Sequence, residues 1–112
     1  MTDKIVVLVT ARNLRESKKI ARRLVESRLV ACVNITQPIR SIYRWKGKVT
    51  EDREVLLFIK TTQALFEEVK ASVRKNHSYT TPEIVALPIT DSSPDYLQWI
   101  EDSVRKTVTS DK

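Results

Sequence analysis

Residues 39–60 read IRSIYRWKGKVTEDREVLLFIK, and this stretch decides the fold because it holds two β-forming segments joined at the only glycine of the chain. Gly47 supplies the positive φ of a tight turn, so segments 39–45 and 49–60 are predicted to form a long β-hairpin. Near its end the second arm is apolar on both faces, with alternating residues Val55, Leu56, Leu57, Phe58 and Ile59. Both faces of that strand therefore need cover.

The segments around the hairpin alternate between strand and helix patterns. Asn13 and Glu16 have the spacing of a capping box and open the first helix, and Pro38 interrupts the strand that follows it. The predicted elements are a strand at 5–9, a helix at 13–28, a strand at 29–35, the two hairpin arms, a helix capped by Thr62, a strand at 84–87 and a helix opened by Ser93 and Pro94.

This order, β-α-β-β-α-β-α, predicts an α+β fold: a ferredoxin-like βαββαβ sandwich with an extra C-terminal helix. Two helices cover one face of an antiparallel sheet in this plan, which leaves the second face without cover from the same chain. We therefore expect the chain to form an oligomer through the hairpin. We further expect a single domain over residues 1–112, with an ordered core at about 4–106 and a frayed polar tail from Thr107.

Composition excludes several classes of protein. The chain has 112 residues and a mass of 12.9 kDa, with one cysteine and one histidine, too few for a disulfide framework or a closed Cys/His zinc site. A single glycine excludes Gly-rich nucleotide-binding loops. The longest apolar run, residues 5–9, is too short to span a membrane, and no signal-peptide pattern precedes it. A cytoplasmic protein with no membrane partner is predicted.

The net charge of +6 is concentrated near the first predicted helix. Seven of the 20 basic residues lie between Arg12 and Arg28, and all but Arg28 fall on one arc of a helical wheel, opposite Ile20, Ala21, Leu24 and Val25. A solvated helix face is the favoured interpretation, and a docking surface for a polyanion is the alternative. Nucleic acid is not favoured as a partner.

Few residues suggest chemistry. No nucleophile–base pair is evident, so no catalytic residue is assigned and the protein is predicted not to be an enzyme. Cys32 lies in an apolar segment and is expected to be a buried structural thiol. His77 fits either a helix C-terminal cap, which is favoured, or a metal ligand. Tyr43 and Trp45 share one strand face, where packing in a core or interface is favoured over base stacking.

Five stretches in register resemble the CutA family, the divalent-cation tolerance proteins. These are LVACVNI at 29–35, SIYRWKG at 41–47, IKTT at 59–62, HSYTTPEI at 77–84 and YLQW at 96–99, and the resemblance extends over residues 5–104. It implies a ferredoxin-like homotrimer, related in architecture to the nitrogen-regulatory PII proteins. It also implies a role in tolerance to divalent cations, with copper as the cation bound by some members.

The resemblance carries over a metal site only in part. Copper-binding relatives use a cysteine near the end of the first strand and a His-His pair, where this chain has Val9 and Asn76-His77. His77 is therefore the one expected metal ligand, with acidic groups such as Glu83 near it. No cofactor is required, and copper or another divalent cation is the expected ligand. The expected cleft between subunits is lined by Tyr43, Lys60, His77, Tyr79 and Glu83.

Three other functions compete with metal tolerance. The first is a PII-like small-molecule or nucleotide sensor or signalling scaffold, in which Lys60 and the basic hairpin tip meet an anionic ligand. The second is a nucleic-acid binder that uses the basic helix. The third is an acylphosphatase-like enzyme on the same fold, disfavoured because one glycine makes a backbone oxyanion cradle hard to build.

Overall fold

The computed structural model describes residues 2–106, which form five strands and three α-helices. In chain order these are β1 (Lys4–Ala11), α1 (Leu14–Glu26), β2 (Cys32–Ile35), β3 (Ile39–Trp45), β4 (Lys48–Thr62), α2 (Phe66–Asn76), β5 (Ile84–Pro88) and α3 (Pro94–Ser103). A short 3-10 helix, Gln63–Leu65, precedes α2. The tail predicted from Thr107 lies outside the described residues.

The strands form an antiparallel sheet in the order β2-β4-β1-β5, and β3 pairs with the first half of β4. β1 is central, as its continuous apolar run predicts, and it pairs with β4 from Lys4↔Thr62 to Ala11↔Val55. This is the ferredoxin-like arrangement predicted from the order of elements. The extra helix, α3, follows β5 and contributes Ile100 to the core. Val104, the residue directly after α3, is also part of the core.

β2 and β3 lie along the same edge of β4, and the register between them shifts by one residue. Ile35 faces Leu57 and Ile39 faces Glu54, so three residues of the edge, 36–38, stand opposite two of β4. Pro38 lies in this bulge, where the missing backbone N–H costs no ladder hydrogen bond. The predicted interruption at Pro38 is confirmed.

The two sides of the sheet differ in cover. Alternate residues of β4 point to opposite sides, and Leu57 and Ile59 are fully buried beneath α1 and α2. The opposite side, which we call the free face, is apolar and only partly covered by the described residues. It carries Val6, Leu8, Leu56, Phe58, Val85 and Leu87. Val85 is 44% exposed and Leu87 45% exposed, as predicted for a sheet with one uncovered side.

Several predicted boundaries and packing roles were wrong. α1 ends at Glu26 and not at residue 28, because Arg28 takes a left-handed φ of 60°. Val25 was placed on the core side, but its side chain is 42% exposed because it lies at the margin of the apolar arc. β2 begins at Cys32 and not at residue 29. Thr62 and Ser93 precede their helices without forming a side-chain capping hydrogen bond.

The hairpin turn matches its prediction. Trp45 pairs with Lys48, and the two residues between them have positive φ values, 51° for Lys46 and 79° for Gly47. This backbone is that of a two-residue turn whose twist matches the strands it joins. None of the helices in residues 2–106 is long and apolar enough to cross a membrane.

Candidate functional site

A cleft of about 640 Å³ lies between the β3–β4 hairpin and the segment that connects α2 to β5. Its size is within the range of small-molecule binding pockets. We call it the acidic cleft, because three carboxylates line it. Its lining residues are Thr10, Ser41, Ile42, Tyr43, Trp45, Asp52, Glu54, Tyr79, Thr80, Thr81 and Glu83.

The sheet register explains why the hairpin side chains meet. Ser41 pairs with Asp52 and Ile39 with Glu54, so odd-numbered residues of β3 share a face with even-numbered residues of β4. Tyr43 and Trp45 follow on that face towards the turn. Both rings are exposed, at 39% and 45%, so packing in a core of the same chain was the wrong expectation. Packing in an interface stays a prediction.

Two phenol–carboxylate pairs organise the cleft. Tyr79 Oη donates to Oε2 of Glu54 over 2.9 Å, and Tyr43 Oη donates to Oδ2 of Asp52. Burial and the neighbouring Glu54 carboxylate raise the pKa of Tyr79 well above its usual value. The hydrogen bond to Asp52, followed by burial, raises the pKa of Tyr43. Both phenols therefore stay protonated at neutral pH and act as donors to the carboxylates.

Both ring nitrogens of His77 form hydrogen bonds within the chain. The Tyr79 backbone N–H donates to Nδ1 over 3.1 Å, so Nε2 carries the ring proton and donates to the Thr10 carbonyl over 2.7 Å. The His77 and Tyr79 rings also pack at a tilt of 54°, with centroids 4.7 Å apart. His77 is the C-terminal cap residue of α2, but its ring bonds to β1 and to the following loop instead of the helix.

Glu16 fixes the other side of this loop. Its carboxylate accepts from the Ser78 N–H over 2.6 Å and the Ser78 hydroxyl over 3.1 Å. It also accepts from the Arg12 N–H, while the Asn13 side chain accepts from the Glu16 N–H as predicted for a cap. Partial burial alone would raise the pKa of Glu16, but the hydrogen bonds from Ser78 and Arg12 outweigh it and lower the pKa. Glu16 thus ties the cleft loop to α1.

The structure brings together most of the predicted cleft residues. Tyr43, Tyr79 and Glu83 all line the acidic cleft, and His77 stands directly behind Tyr79. Lys60 lies apart, because it is six residues beyond Glu54 on β4, about 20 Å along a strand. Its ammonium donates to Asn34 Oδ1 on the free face.

Sequence reasoning missed Asp52 and Glu54, the two carboxylates nearest the phenols. Their signal was available in the hairpin itself: once Trp45 is paired with Lys48 across the turn, Asp52 falls opposite Ser41, next to Tyr43 on the same face. Cys32 was also misjudged. It is half-buried and not fully buried: it lies opposite Lys60 on β4 and packs against the core cluster only in part.

The acidic cleft suits a cation. The described residues that line it include Asp52, Glu54 and Glu83 and no lysine or arginine, and none of these carboxylates forms an ion pair within residues 2–106. Carboxylate oxygens are hard ligands for cations such as Mg²⁺, Ca²⁺ and Mn²⁺. Over the same residues, no group of three or more His, Cys, Asp or Glu is arranged to hold a metal ion. The described residues of one chain therefore do not by themselves form a metal site.

These features define a class: a ferredoxin-like α+β protein with an apolar free face and an acidic, phenol-lined cleft beside it. Residues 5–103 match the family model of the CutA1 divalent ion tolerance protein. The chain belongs to the CutA1 family.

Relatives agree over most of the chain. A divalent-cation tolerance protein CutA of Thermus thermophilus is 49% identical over 98 residues, which are 88% of this chain and 95% of that protein. The chloroplastic protein CutA of Arabidopsis thaliana is 50% identical over 101 residues, which are 90% of this chain but 56% of that longer protein.

Solved structures show the same fold. A divalent cation tolerance protein of Thermus thermophilus matches with a TM-score of 0.89 and 47% identity, over 91% of this chain and 99% of that one. A protein of Archaeoglobus fulgidus described as a periplasmic divalent cation tolerance protein matches with a TM-score of 0.88 and 41% identity, over 91% and 99% of the two chains. Relatives are thus named for the chloroplast and the periplasm, and a cytoplasmic location stays a prediction.

Proposed function

We propose that this chain is a non-enzymatic, cytoplasmic, single-domain protein of divalent-cation tolerance that works as a homotrimer and binds cations in clefts between subunits. The observation that carries the proposal is the acidic cleft, which Asp52, Glu54 and Glu83 line without a basic residue among the described lining. Membership of a family named for divalent ion tolerance supports the class of ligand.

The free face supports assembly. Its exposed apolar side chains, such as Val85 and Leu87, lose unfavourable contact with water when a second copy covers them. β4 continues from this face to the cleft, since Phe58, Leu56, Glu54 and Asp52 alternate to the same side of the strand. A partner that covers the free face therefore approaches the cleft. It can supply the ligands that a single chain lacks.

Two ligand sets are available for the cation. Cu(II) favours imidazole, but binding at His77 breaks the hydrogen bond from the Tyr79 N–H or the one to Thr10. The carboxylates of the cleft have fewer hydrogen bonds to lose. Among the described residues, Asp52 and Glu54 each accept one, from a phenol, and the second oxygen of each is available to a cation. We expect Cu(II) to use His77 weakly and the carboxylates of Glu54 and Glu83 to contribute. A PII-like sensor of an anionic ligand is less well supported, because the cleft is acidic and Lys60 lies outside it.

A native mass spectrum with and without stoichiometric Cu(II) tests the proposal. We expect a species of three 12.9-kDa chains with a discrete number of copper ions. His77→Ala and Glu54→Gln should each reduce copper occupancy, and Glu51→Gln, which removes a charge from the opposite face of the hairpin, should not. The predicted metal site would be contradicted by copper uptake that does not saturate. It would also be contradicted if the His77→Ala trimer bound as much copper as the parent. A monomer would contradict the assembly.

A further inference from the structure

The acidic cleft is much larger than a metal ion requires. A volume of about 640 Å³ accommodates an organic molecule, whereas a bare cation fills only the space between its ligands. The described residues also lack a cluster of three metal-ligating groups. The cleft of one chain therefore has room for a positively charged ligand of several atoms.

Glu54 is the group that points most directly to such a ligand. Its side chain is nearly buried, with the residue 7% exposed, and its Oε2 is bound by Tyr79. Its Oε1 accepts no hydrogen bond within residues 2–106. Every fully buried side-chain N or O atom of those residues does have a partner, so Oε1 is not fully buried. Since Glu54 lines the cleft, Oε1 is open to it. A carboxylate group with so little access to water gains strongly from a cation that reaches it.

The surroundings favour an ammonium ion on a carbon chain. Tyr43, Trp45 and Tyr79 present aromatic rings to the cleft, and an ammonium ion is attracted to the face of such a ring. Trp45 already receives a cation on its ring, since the Lys46 ammonium lies 5.9 Å from its centroid. The methylene groups of a chain pack on the same rings.

Two carboxylates project from the same side of β4. Successive residues of a strand advance about 3.3 Å, so the Cα atoms of Asp52 and Glu54 are about 6.6 Å apart. An aliphatic diamine with four methylene groups spans that separation when extended. We propose that the acidic cleft binds a linear aliphatic diamine, with one ammonium group at Glu54 and the other at Asp52. This site shares a preference for cations with the proposed function but does not require that the cleft hold a metal.

Calorimetric titration of the whole protein with putrescine, in metal-free buffer, tests the proposal. n-Butylamine is the matched probe, since it has the same carbon chain and one ammonium group. We expect putrescine to bind at one per chain and about tenfold more tightly than n-butylamine. Equal affinities for the two amines, or no saturable binding at millimolar putrescine, would overturn the proposal.

Matched variants locate the site. Asp52→Asn and Glu54→Gln should each weaken putrescine binding about tenfold, while Glu51→Gln, which removes the same charge from the opposite face of β4, should leave it unchanged. Asp52 is exposed, so its variant keeps the test valid if Glu54→Gln fails to fold. Equal weakening by Glu51→Gln would show unspecific charge attraction and overturn the site. A separate titration with Cu(II) reports on the proposed function, so failure of one proposal is distinguishable from failure of the other.

Discussion

The Tyr79 hydroxyl donates to the Glu54 carboxylate across 2.9 Å, and this hydrogen bond joins the loop after α2 to the middle of β4. The two residues are 25 positions apart in sequence. Their contact closes one wall of the acidic cleft and gives a nearly buried carboxylate its one side-chain hydrogen bond within residues 2–106. The stability of the chain and the shape of the cleft therefore depend on the same pair.

Tyr79→Phe tests that dependence. The change leaves Glu54 buried without a donor, so we expect the free energy of unfolding to fall by about 1–3 kcal/mol in urea denaturation at a fixed protein concentration. Tyr43→Phe is the control, because Tyr43 and its partner Asp52 are both exposed and the loss should be much smaller. Equal losses in the two variants would show that burial of Glu54 contributes nothing to the effect.

Glu16→Gln should destabilise the protein in a pH-dependent manner. Because the folded-state pKa of Glu16 lies below its ordinary value of 4.5, the stabilisation is present above that pH and is lost as pH falls through the folded-state pKa. We expect the variant to be about 1 kcal/mol less stable at pH 7, with the difference shrinking below pH 4.5. Denaturation at a series of pH values measures this. Glu26→Gln, which removes the same charge from an exposed position of α1, is the control.

Leu87→Glu should prevent assembly. The substitution places a charge on the free face, where a partner would have to bury it, so we expect a mass near 12.9 kDa by light scattering instead of three times that value. Val25→Glu is the control, since Val25 is similarly exposed but lies on the helix side of the sheet. If Leu87→Glu assembles like the parent, the free face is not the interface.

The hairpin turn offers a prediction for stability alone. Lys46 adopts a left-handed φ of 51°, which asparagine tolerates better than lysine does. Lys46→Asn should therefore raise the free energy of unfolding, by an amount between a few tenths of a kcal/mol and about 1 kcal/mol. Gly47→Ala should lower it by about 1 kcal/mol, because φ is 79° while no atom crowds the added methyl group. Thermal denaturation of both variants measures the effects. A stabilising Gly47→Ala would contradict the turn geometry.

Much of the fold could be predicted because local patterns determine it. The alternation of apolar residues in β4, the single glycine at the turn and Pro38 at the bulge each act within a few residues. The end of α1 was harder to predict, because it depends on the left-handed backbone of Arg28. The burial of Val25 was harder too, because Val25 lies at the margin of the apolar arc and only packing decides whether it is covered.

The cleft was predicted in part for the same reason. Tyr43, Tyr79 and Glu83 stand out by residue type, but Glu54 looks like any charged residue of a strand until the register pairs it with Ile39 and the loop brings Tyr79 over it. Lys60 lies apart from them within one chain, so its place in a cleft between subunits stays a prediction. Residue type thus indicated the chemistry, and pairing across the sheet decided which groups meet.

β4 runs for 15 residues without a break, so in the proposed assembly one strand would connect the ligand in the cleft with the interface at the free face. The carboxylates of the cleft and the apolar residues of the free face lie on one strand. A ligand that binds the cleft more tightly in the assembled state must stabilise the assembly by the same factor for each molecule bound. Measured at increasing dilution, the oligomer would then report the affinity of the cleft, and the chain would act as a concentration gauge for its own ligand.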